Sequence, residues 1–575
     1  MSDLLNSASL VMIPSGYKED VVYSQIPTDG SGDLSFTRAS NGTRINSAGL
    51  VEVTPWNLFQ QSNTFNTTWL ISGTGTVTSG ATDPFGGTSA WTLAKTAANT
   101  FLYQSTAGFS GSATFSIYAK AGTVDQVWIN HAQSGAFSAF FDLTLGTTFG
   151  SAGCVATIVS VGGGWFRCSI SGTVTSPINL RIYPASGGSI SGTTGNILIY
   201  GAQGETGALK PYFPTTDRLN VPRLTYQNGG GGCPSLLLEK QSTNLATQST
   251  ITSFGSGTND WSNGLNNPAS INQTTGIDGT QNGAKYTKTA GETTGDYFLK
   301  RSVPVTSGTT YTISGYIKLG TASNAVIVIN NTTAWDTVAN GSIVCSTANG
   351  FSTTAWKRFE LTITAPASNQ INIHYGYNLE TGVTAQATGT FFLDGLQVEA
   401  GSYATSLINT TSSSATRVVD ACYKTGISSL IGQTEGVVFI EMTPISTITT
   451  YTERLIKIYG GGQEIGLQRY ADSRLVGYGY LGGASNEWTF DIANVFTSTT
   501  QSVKIAMAYS SNDVVLYVNG IQKGTDTSAS MFSSLSALAF AEDIAGDLLC
   551  SQNIKQAVLF PTRLTNAELA SLTTI

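Results

Sequence analysis

Short segments that alternate hydrophobic and polar residues recur along nearly the whole chain, separated by turns rich in Gly, Ser, Thr and Asn. Thr114–Lys120, Trp165–Ile170 and Tyr311–Lys318 are typical, because each carries apolar side chains at every second position. A period of two residues indicates strands with one buried face. No long segment with a period of 3.6 residues interrupts them. The pattern predicts an all-β fold of tandem antiparallel β-sandwiches.

Two long blocks of this pattern share the same landmarks in the same order. Corresponding residues lie 187 to 198 positions apart, and insertions in loops account for the scatter. The pairs are Asn57 and Asn244, Trp69 and Trp261, Tyr118 and Tyr316, Trp165 and Trp356, and Gln203 and Gln397. The order predicts one module present twice, at residues 57–216 and 244–410. Each copy closes on Gln-x-Glu-x-Gly, which favours a jelly roll.

The segments around these modules carry their own turn signals. Residues 1–56 predict a small N-terminal β-meander, with a hairpin signal at Asn41-Gly42 and a second turn at Ser47–Gly49, that needs another surface to pack on. Residues 217–243 form a joint with four consecutive glycines and the apolar Leu236–Leu238. We expect Gly32–Glu52 and Val221–Leu245 to meet as a small β platform with the first module looped out, so that deleting 57–216 leaves a folded protein.

In the rest of the chain, a Ser/Thr-rich run and a short segment punctuated by Gly predict a linker at residues 411–433. The β pattern that follows predicts a third β domain at 434–575. Asn519-Gly520 indicates a hairpin turn in that domain. Thr565 and Glu568 have the spacing of a capping box for a terminal helical turn.

Composition narrows the range of partners. Charged residues are 11% of the 575, hydrophobic ones 40%, and the net charge is −7 without a basic region. Nucleic acid is therefore not an expected partner. No apolar run approaches 18 residues, and the N-terminus lacks a basic region of the kind that begins a signal peptide. We expect no membrane insertion, and synthesis and assembly in a cytoplasm.

The six cysteines show neither CxxC pairs nor metal-ligand spacing. Cys154 and Cys168 flank Gly162–Gly164, but a hairpin centred on Gly163 pairs position 154 with 172. Reduced, buried thiols are the prediction.

Catalytic signatures are missing from the sequence. His131 and His374 fall in strands of different modules without a nucleophile elbow, so each is interpreted as a sheet residue. Glu487 and Asp491 share one strand about 13 Å apart, too far for a glycosidase pair. Gly229–Gly232 precedes a strand and not a helix, so it is interpreted as a turn. We expect no enzyme activity, no cofactor and no metal, and Asp394 is interpreted as a surface acid in preference to a calcium ligand.

Candidate sugar-binding residues are aromatic and planar polar side chains of the second and third β blocks. Tyr375 and Tyr377 share one strand face, as do Tyr478 and Tyr480. The complete candidate set is Trp335, Tyr375, Tyr377, Arg469, Tyr478, Tyr480 and Trp488. Aromatics at this spacing also suit a sandwich core or a subunit interface, and the sequence leaves these alternatives open.

Three resemblances add expectations. Val503–Met507, Val515–Gly520 and Ile554–Leu572 resemble the concanavalin A-like lectin/laminin-G family, which implies a curved sandwich that often binds glycans. The paired modules resemble carbohydrate-binding-module jelly rolls. Phe36–Glu52 and the segment from Val221 resemble tailed-phage fibre and head-spike proteins. Lys240 departs from that resemblance, because Pro is expected at this position of the segment Leu236–Asn244.

The phage resemblance implies a homotrimeric fibre on the virion surface, head-mounted in preference to tail-mounted. Ser9–Asp33 is similar to the starts of such proteins, which implies attachment to other virion proteins. Assembly is expected in the bacterial host, and the sandwiches are expected to touch host or mucosal glycans. The alternative is a carbohydrate-active enzyme, a hydrolase or lyase, or its secreted binding modules.

Overall fold

The computed structural model describes residues 2–575 except 107–110, 133–136, 176, 228, 256–259, 264–267, 289–298, 332–336, 377–387, 447–451, 471, 484 and 542–550. The chain divides into two compact units, one of Met1–Glu52 with Asn220–Ile575 and the other of Val53–Leu219. The strand pairs whose register the structure describes are antiparallel, and the all-β prediction of tandem sandwiches is confirmed.

The N-terminal segment contains a short helix and six strands. These are α1 (Ser2–Leu5), β1 (Leu10–Met12), β2 (Tyr17–Lys18), β3 (Val21–Val22), β4 (Leu34–Thr37), β5 (Gly42–Ile45) and β6 (Val51–Thr54). β5 and β6 pair around the predicted Ser47–Gly49 turn, where the Asn46 side chain accepts hydrogen bonds from Ala48 and Leu50. Asn41-Gly42 does not close a hairpin as expected, because β4 pairs with β3 and not with β5.

The unit Val53–Leu219 is a sandwich of two six-stranded sheets, here called the first sandwich. Its strands are β7 (Leu70–Ser72), β8 (Gly75–Ala81), β9 (Ala90–Lys95), β10 (Phe101–Thr106), β11 (Gly111–Ala121), β12 (Gln126–His131), β13 (Phe137–Asp142), β14 (Thr147–Ala152), β15 (Val155–Gly162), β16 (Trp165–Val174), β17 (Ile178–Ala185) and β18 (Gly195–Thr206). One sheet has the order β14-β13-β12-β17-β10-β7 and the other β15-β16-β11-β18-β9-β8. Apolar side chains from both sheets, such as Ile129 and Ile117, form one core.

The second sandwich follows a short joint. The joint contributes β19 (Arg223–Thr225), β20 (Ser235–Leu238) and β21 (Ser242–Asn244). The strands of the sandwich are β22 (Trp261–Asn263), β23 (Ala269–Thr274), β24 (Gly283–Lys288), β25 (Leu299–Pro304), β26 (Thr310–Leu319), β27 (Asn324–Asn330), β28 (Thr337–Ser346), β29 (Lys357–Thr364), β30 (Gln370–Gly376) and β31 (Gly389–Ala400), with the 3-10 turn Thr347–Asn349. The sandwich consists of sheets β22-β25-β30-β27-β28 and β23-β24-β31-β26-β29, which enclose one core.

The third sandwich draws on three regions of the chain. β32 (Ala415–Arg417) pairs with β21 in a separate two-stranded sheet. The C-terminal region then supplies β33 (Ala421–Thr425), β34 (Glu435–Pro444), β35 (Glu453–Gly460), β36 (Gln463–Arg469), β37 (Leu475–Tyr480), β38 (Trp488–Ile492), β39 (Val503–Ser510), β40 (Val514–Val518), β41 (Ile521–Asp526), β42 (Ala537–Ala541), β43 (Gln552–Phe560) and α2 (Asn566–Thr573), with the 3-10 turn Ser428–Leu430. One sheet runs β19-β20-β43-β34-β39-β40-β41 with β1 also on β43, and the other runs β2-β3-β4-β33-β42-β35-β36-β37-β38.

The N-terminal meander therefore packs on the chain's own C-terminal strands. Leu10, Met12 and Phe36 are fully buried in the core of the third sandwich, beside Leu236 and Leu238 of the joint. The expectation that this segment needs another surface is met inside the same chain, because its alternating apolar residues have no second sheet of their own to face. The third sandwich thus extends beyond 434–575, and the range 411–433 contains strands.

The two flanking segments of the first sandwich meet as expected. The backbone N–H of Tyr226 donates to Ile45 O at 2.9 Å, and that of Ile45 donates to the Thr225 hydroxyl at 3.1 Å. The first sandwich is an insertion between them, since the larger unit resumes at Asn220.

Local predictions hold at several turns. In the β15–β16 hairpin Ile158 lies opposite Cys168, the register of a turn centred on Gly163. Asn519 and Gly520, both with positive φ, connect β40 to β41. Thr565 and Glu568 form the capping box of α2. Five cysteines are free, of which Cys233 is exposed against expectation, while Cys550 lies outside the described residues.

The internal repeat is reproduced in the hydrogen bonds of buried polar side chains. Asn57 donates to the carbonyls of Ala202 and Phe213 and accepts from the N–H groups of Phe59 and Gly204. Asn244 makes the same four bonds, to Leu396, Ile408, Ala246 and Val398. A fully satisfied buried amide ties the first residue of each module to its last strand, which explains why Asn recurs at both positions.

A buried glutamate lies beside this hub in the first sandwich. Glu205 accepts from Gln203 Nε2 at 3.0 Å and from the Lys210 N–H at 2.9 Å. Burial raises the pKa of Glu205 to about 7, and the bond from Gln203 opposes that rise only in part. The carboxyl group is therefore protonated in the folded unit under conditions in which it ionises in the unfolded chain.

The stability of the first sandwich should fall as the pH rises from about 5 to 8. A raised pKa in the folded state stabilises below the ordinary pKa, and that stability is lost as the pH passes through 7, by roughly 2 kcal/mol. Hydrogen–deuterium exchange of peptides from residues 53–219 at pH 5 and 8, corrected for intrinsic rates, measures the change. Glu205→Gln should flatten it, and an equal pH dependence in that variant would show that another group is responsible.

Five charged side chains form a buried network in the larger unit. Asp420 binds Arg38 at 3.0 Å through one oxygen and Arg223 through the other, and Glu239 binds Arg223 at 2.6 Å and Arg417 at 3.1 Å. Burial alone raises the pKa of Glu239, but Arg417 and Arg223 outweigh it and hold that pKa at about 2. All five side chains are at most 1% exposed, so the N-terminal segment, the joint and residues 417–420 are held by one set of ion pairs.

Candidate functional site

The candidate sugar-binding residues of the second sandwich do not form a surface. Tyr375 is 1% exposed, and its ring packs against Trp261 and Phe359 in the core. A ring enclosed on both faces cannot stack on a sugar, so the structure corrects this assignment: Tyr375 is a core residue. Trp335 and Tyr377 lie outside the described residues.

The candidates of the third sandwich are largely interior as well. Arg469 is buried and pairs with Glu453 at 3.4 Å, and the Tyr478 hydroxyl binds Glu464. Trp488 is 3% exposed and packs edge-on against Phe532. Tyr480 is half-buried and donates to Gly483 O. Burial of Arg469, Tyr478 and Trp488 leaves Tyr480 without the partners that a sugar platform was expected to have.

The residues weighed for catalysis are also part of the scaffold. His131 is buried and packs against Phe115 and Phe137, and His374 lies in β30. Asp491 pairs with Arg474. Asp394 is buried, against the surface position expected, and accepts from the Thr250 hydroxyl; burial raises its pKa to about 6. Within the described part of the chain, no three His, Cys, Asp or Glu side chains are placed to hold a metal ion.

The outer face of one sheet of the first sandwich carries a continuous row of aromatic side chains. The sheet is β14-β13-β12-β17-β10-β7, whose inward residues, such as Val127, Ile129 and Phe141, are fully buried. Because side chains alternate along a strand, the residues between them face outward. At one level of the sheet these are Phe101, Tyr183, Trp128, Phe140 and Phe149, here called the aromatic row.

Cross-strand register places the rings side by side. Trp128 lies opposite Tyr183 on one side and Phe140 on the other, and Phe140 lies opposite Phe149. The ring centroids are 4.6 Å apart for Phe101–Tyr183, 4.8 Å for Tyr183–Trp128, 5.7 Å for Trp128–Phe140 and 5.3 Å for Phe140–Phe149. The last two pairs are stacked. Five neighbouring strands extend the row over about 19 Å.

The row is accessible along most of its length. Phe149 is 37% exposed, Phe101, Trp128 and Phe140 are half-buried, and only Tyr183 is buried between its neighbours. Aromatic rings on the outer face of a sheet gain little from folding compared with rings in the core. Contiguous exposed apolar surface of this kind marks an interaction site.

A row of polar side chains runs beside the aromatic row. Tyr103 lies opposite Arg181, Arg181 opposite Asn130, and Asn130 opposite Ser138. The guanidinium of Arg181 lies 5.0 Å from the centre of the Phe101 ring, and its Nε donates to Asn179 Oδ1 at 3.1 Å. The surface thus combines flat apolar rings with planar polar groups.

The aromatic row was missed because the strands QVWINH and FSAFFD carry apolar residues on both faces. Alternation separates the two faces of a strand but does not say which one is the core. The available signal was that Phe101, Trp128, Phe140 and Tyr183 are aromatic at positions that alternate with the core residues of their strands, where the solvent-facing side of a sheet is ordinarily polar. Recognising a row also needs the register between strands that are distant in sequence.

The corresponding sheet of the second sandwich carries different chemistry. There Lys300 lies opposite His374, which lies opposite Val328, and the next level pairs Asn372 with Asn330. None of these outward positions holds an aromatic ring. The aromatic row is therefore not a requirement of the shared fold, because the described strands of this sheet in the second copy hold other residues at those positions.

Comparisons with known proteins give distant structural likenesses only. No protein-family model and no curated protein matches the chain. The CBM40 of the Ruminococcus gnavus IT-sialidase bound to α2,3-sialyllactose is 13% identical, covers 25% of this chain and 86% of its own, and has a TM-score of 0.22. Domain 4 of the arabinanase AbnA from Geobacillus stearothermophilus, in complex with arabinotriose, is 15% identical and covers 30% and 82%, with a TM-score of 0.23.

A heptameric SAP-like pentraxin from Limulus polyphemus is 12% identical and covers 25% of this chain and 70% of its own, with a TM-score of 0.20. Among the residues with described structure, no helix is long and apolar enough to cross a bilayer. At these TM-scores the likenesses carry no argument about what the chain binds.

Proposed function

We propose that this protein is a non-enzymatic adhesion protein that binds glycan chains through the aromatic row of the first sandwich. The observation that carries the proposal is the row itself, in which four of five rings are accessible on one sheet face. Sugar rings have apolar faces and polar edges, so they complement flat aromatic rings that are flanked by hydrogen-bonding groups. A surface about 19 Å long suits several consecutive sugar units and not a single one.

The polar row supports a glycan over a purely apolar partner. Amide, hydroxyl and guanidinium groups lie two residues, about 7 Å, along the strands from the rings, on Asn130, Ser138, Tyr103 and Arg181. Such groups donate and accept at different points, as sugar hydroxyls require. Nucleic acid is disfavoured by the net charge of −7.

The finer proposal is a surface fibre of a tailed-phage virion, a homotrimer assembled in the bacterial host cytoplasm and attached to other virion proteins. Its support is the resemblance of Phe36–Glu52 and Val221–Leu245 to phage fibre and head-spike proteins. The mass of the intact oligomer in solution tests the trimer, and labelling of particles with antibody to this chain tests the location. A monodisperse monomer contradicts the first, and unlabelled particles contradict the second.

Truncating Trp128 or Phe140 should weaken polysaccharide binding about tenfold each. Each ring supplies stacking worth roughly 1–1.5 kcal/mol, and every 1.4 kcal/mol is a factor of ten in affinity. Affinity electrophoresis of the full chain through gels that contain neutral or acidic polysaccharides measures the change. Both side chains are half-buried on the outer face, so their truncation opens no core cavity.

Phe85→Ala is the matched control. Phe85 is 68% exposed and packs against Tyr118 and Tyr200 of the other sheet. It should retain full retardation. Equal retardation of Trp128→Ala, Phe140→Ala and the wild type would overturn the proposed function, and so would absence of wild-type retardation in every gel.

A further inference from the structure

We infer that the aromatic row binds an acidic saccharide, and that Arg181 engages a carboxylate of that chain. The inference rests on the proposed function and names its substrate class. It starts from the position of Arg181, which lies between Tyr103 and Asn130 on the polar row and reaches over the ring of Phe101. A ligand that stacks on the aromatic row passes beside this guanidinium.

The guanidinium of Arg181 is held in place by a hydrogen bond at one edge and by an aromatic ring against one face. Its Nε donates to Asn179 Oδ1, and its central carbon Cζ lies over the Phe101 ring, 5.0 Å from the ring centre. Burial raises the pKa of Tyr183, and a hydrogen bond with Arg181 and its positive charge hold that pKa down in part. An arginine fixed in this way loses little further freedom when it forms paired hydrogen bonds with a carboxylate.

The charge of Arg181 faces no acidic side chain in the part of the chain that the structure describes. No carboxylate among the described side chains lies within ion-pair distance of it. Asp142, on the same sheet face, is engaged by its own turn, where it accepts from the N–H groups of Thr144 and Leu145. The other arginine of the first sandwich strands, Arg167, donates to Ser116 and Lys210 O on the opposite sheet.

As far as its residues are described, the surface consists of aromatic rings, neutral polar groups and the guanidinium of Arg181, whose positive charge no described carboxylate pairs with. A neutral glycan stacks on the rings while the guanidinium of Arg181 stays hydrated. A chain of uronate-type sugars also places a carboxylate beside that guanidinium and pairs with its charge. A second copy of this chain is the other occupant to distinguish. It is disfavoured because burying Arg181 against a copy of the same face brings two unpaired guanidiniums together.

Polygalacturonate and its methyl ester are suitable probes, because they share a backbone and differ in the carboxylate charge. The full-length wild type should bind the acidic polymer about tenfold more tightly in low salt, and the preference should shrink at 0.5 M salt. Arg181→Gln should abolish the preference and leave binding to the ester unchanged. Arg181→Lys should retain part of it, since lysine keeps the charge without the paired donors.

Lys120→Gln is the charge-matched control, since Lys120 lies on the other sheet and donates to Gly163 O. An unchanged preference in Arg181→Gln, or a wild type that binds both polymers equally, would overturn the inference while the losses in Trp128→Ala and Phe140→Ala still support the proposed function. Losses confined to Arg181→Gln would instead overturn the role of the rings. A wild-type oligomer that dissociates in Trp128→Ala, with no binding to either polymer, would assign the surface to a second copy.

Discussion

Asp420→Ala should destabilise the larger unit by about 3–5 kcal/mol, a large share of the roughly 5–15 kcal/mol that stabilises an ordinary domain. The Asp420 carboxylate holds Arg38 through one oxygen and Arg223 through the other, and none of these side chains is exposed. Its removal leaves two guanidiniums buried with less compensating charge. It also removes the acceptor of the Glu239 N–H, at 2.8 Å.

Hydrogen–deuterium exchange separates this effect from the first sandwich. Peptides from Leu10–Phe36, the joint and the third sandwich should lose protection together, because the network connects all three. Peptides from residues 53–219 should be unchanged. Asp491→Ala is the control, since the ion pair of Asp491 with Arg474 is exposed to solvent, and exposed ion pairs contribute little to stability. If the Asp420 variant lost no more stability than this control, the network would be dispensable.

The repeat and the strands were predictable because they depend on local pattern. Asn57 and Asn244, identical in their four hydrogen bonds, are both visible in the sequence as the first landmark of a module. The fate of Leu10–Met12 was not predictable, because its partner β43 lies almost at the other end of the chain. Its apolar residues show that a partner exists and not which one.

For the candidate site, too, local sequence predicts the strands, whereas the face that each strand exposes depends on long-range packing. Tyr375 and Trp128 each lie in an apolar strand with aromatic residues, and one ring faces a core while the other faces outward. The difference arises from which face of each strand meets the opposite sheet. Which face meets the opposite sheet depends on strands that are far apart in sequence. Aromatic content alone therefore predicted Tyr375, Tyr478 and Trp488, whose side chains are buried.

Excision of residues 53–219 should leave a folded protein that no longer binds glycans. Within the described ranges, strands β7–β18 pair with one another, and the sheets of the larger unit contain none of them. The two cut ends are Glu52 and Asn220. Glu52 pairs with Arg44, whose Nη1 donates to Leu224 O in β19. Asn220, three residues before β19, exchanges backbone and side-chain hydrogen bonds with Arg38. A flexible linker of about eight residues spans up to roughly 26 Å when extended, which is ample for this gap.

Excision of residues 244–410 is the informative contrast, because the end of the second sandwich is bonded to the rest of the larger unit. Ser406 donates its N–H to Glu239 at 2.7 Å, Tyr403 donates to Ser551 at 2.6 Å, and the Thr43 hydroxyl binds Leu407 O at 2.5 Å. Its removal exposes Glu239 and strips the network of its packing, so it should unfold the third sandwich. Circular dichroism and unfolding curves of both deletion variants test these expectations. The variant without residues 53–219 should retain cooperative unfolding, and the variant without residues 244–410 should lose it. The reverse result would mean that the first sandwich, and not the buried ion network, holds the larger unit together.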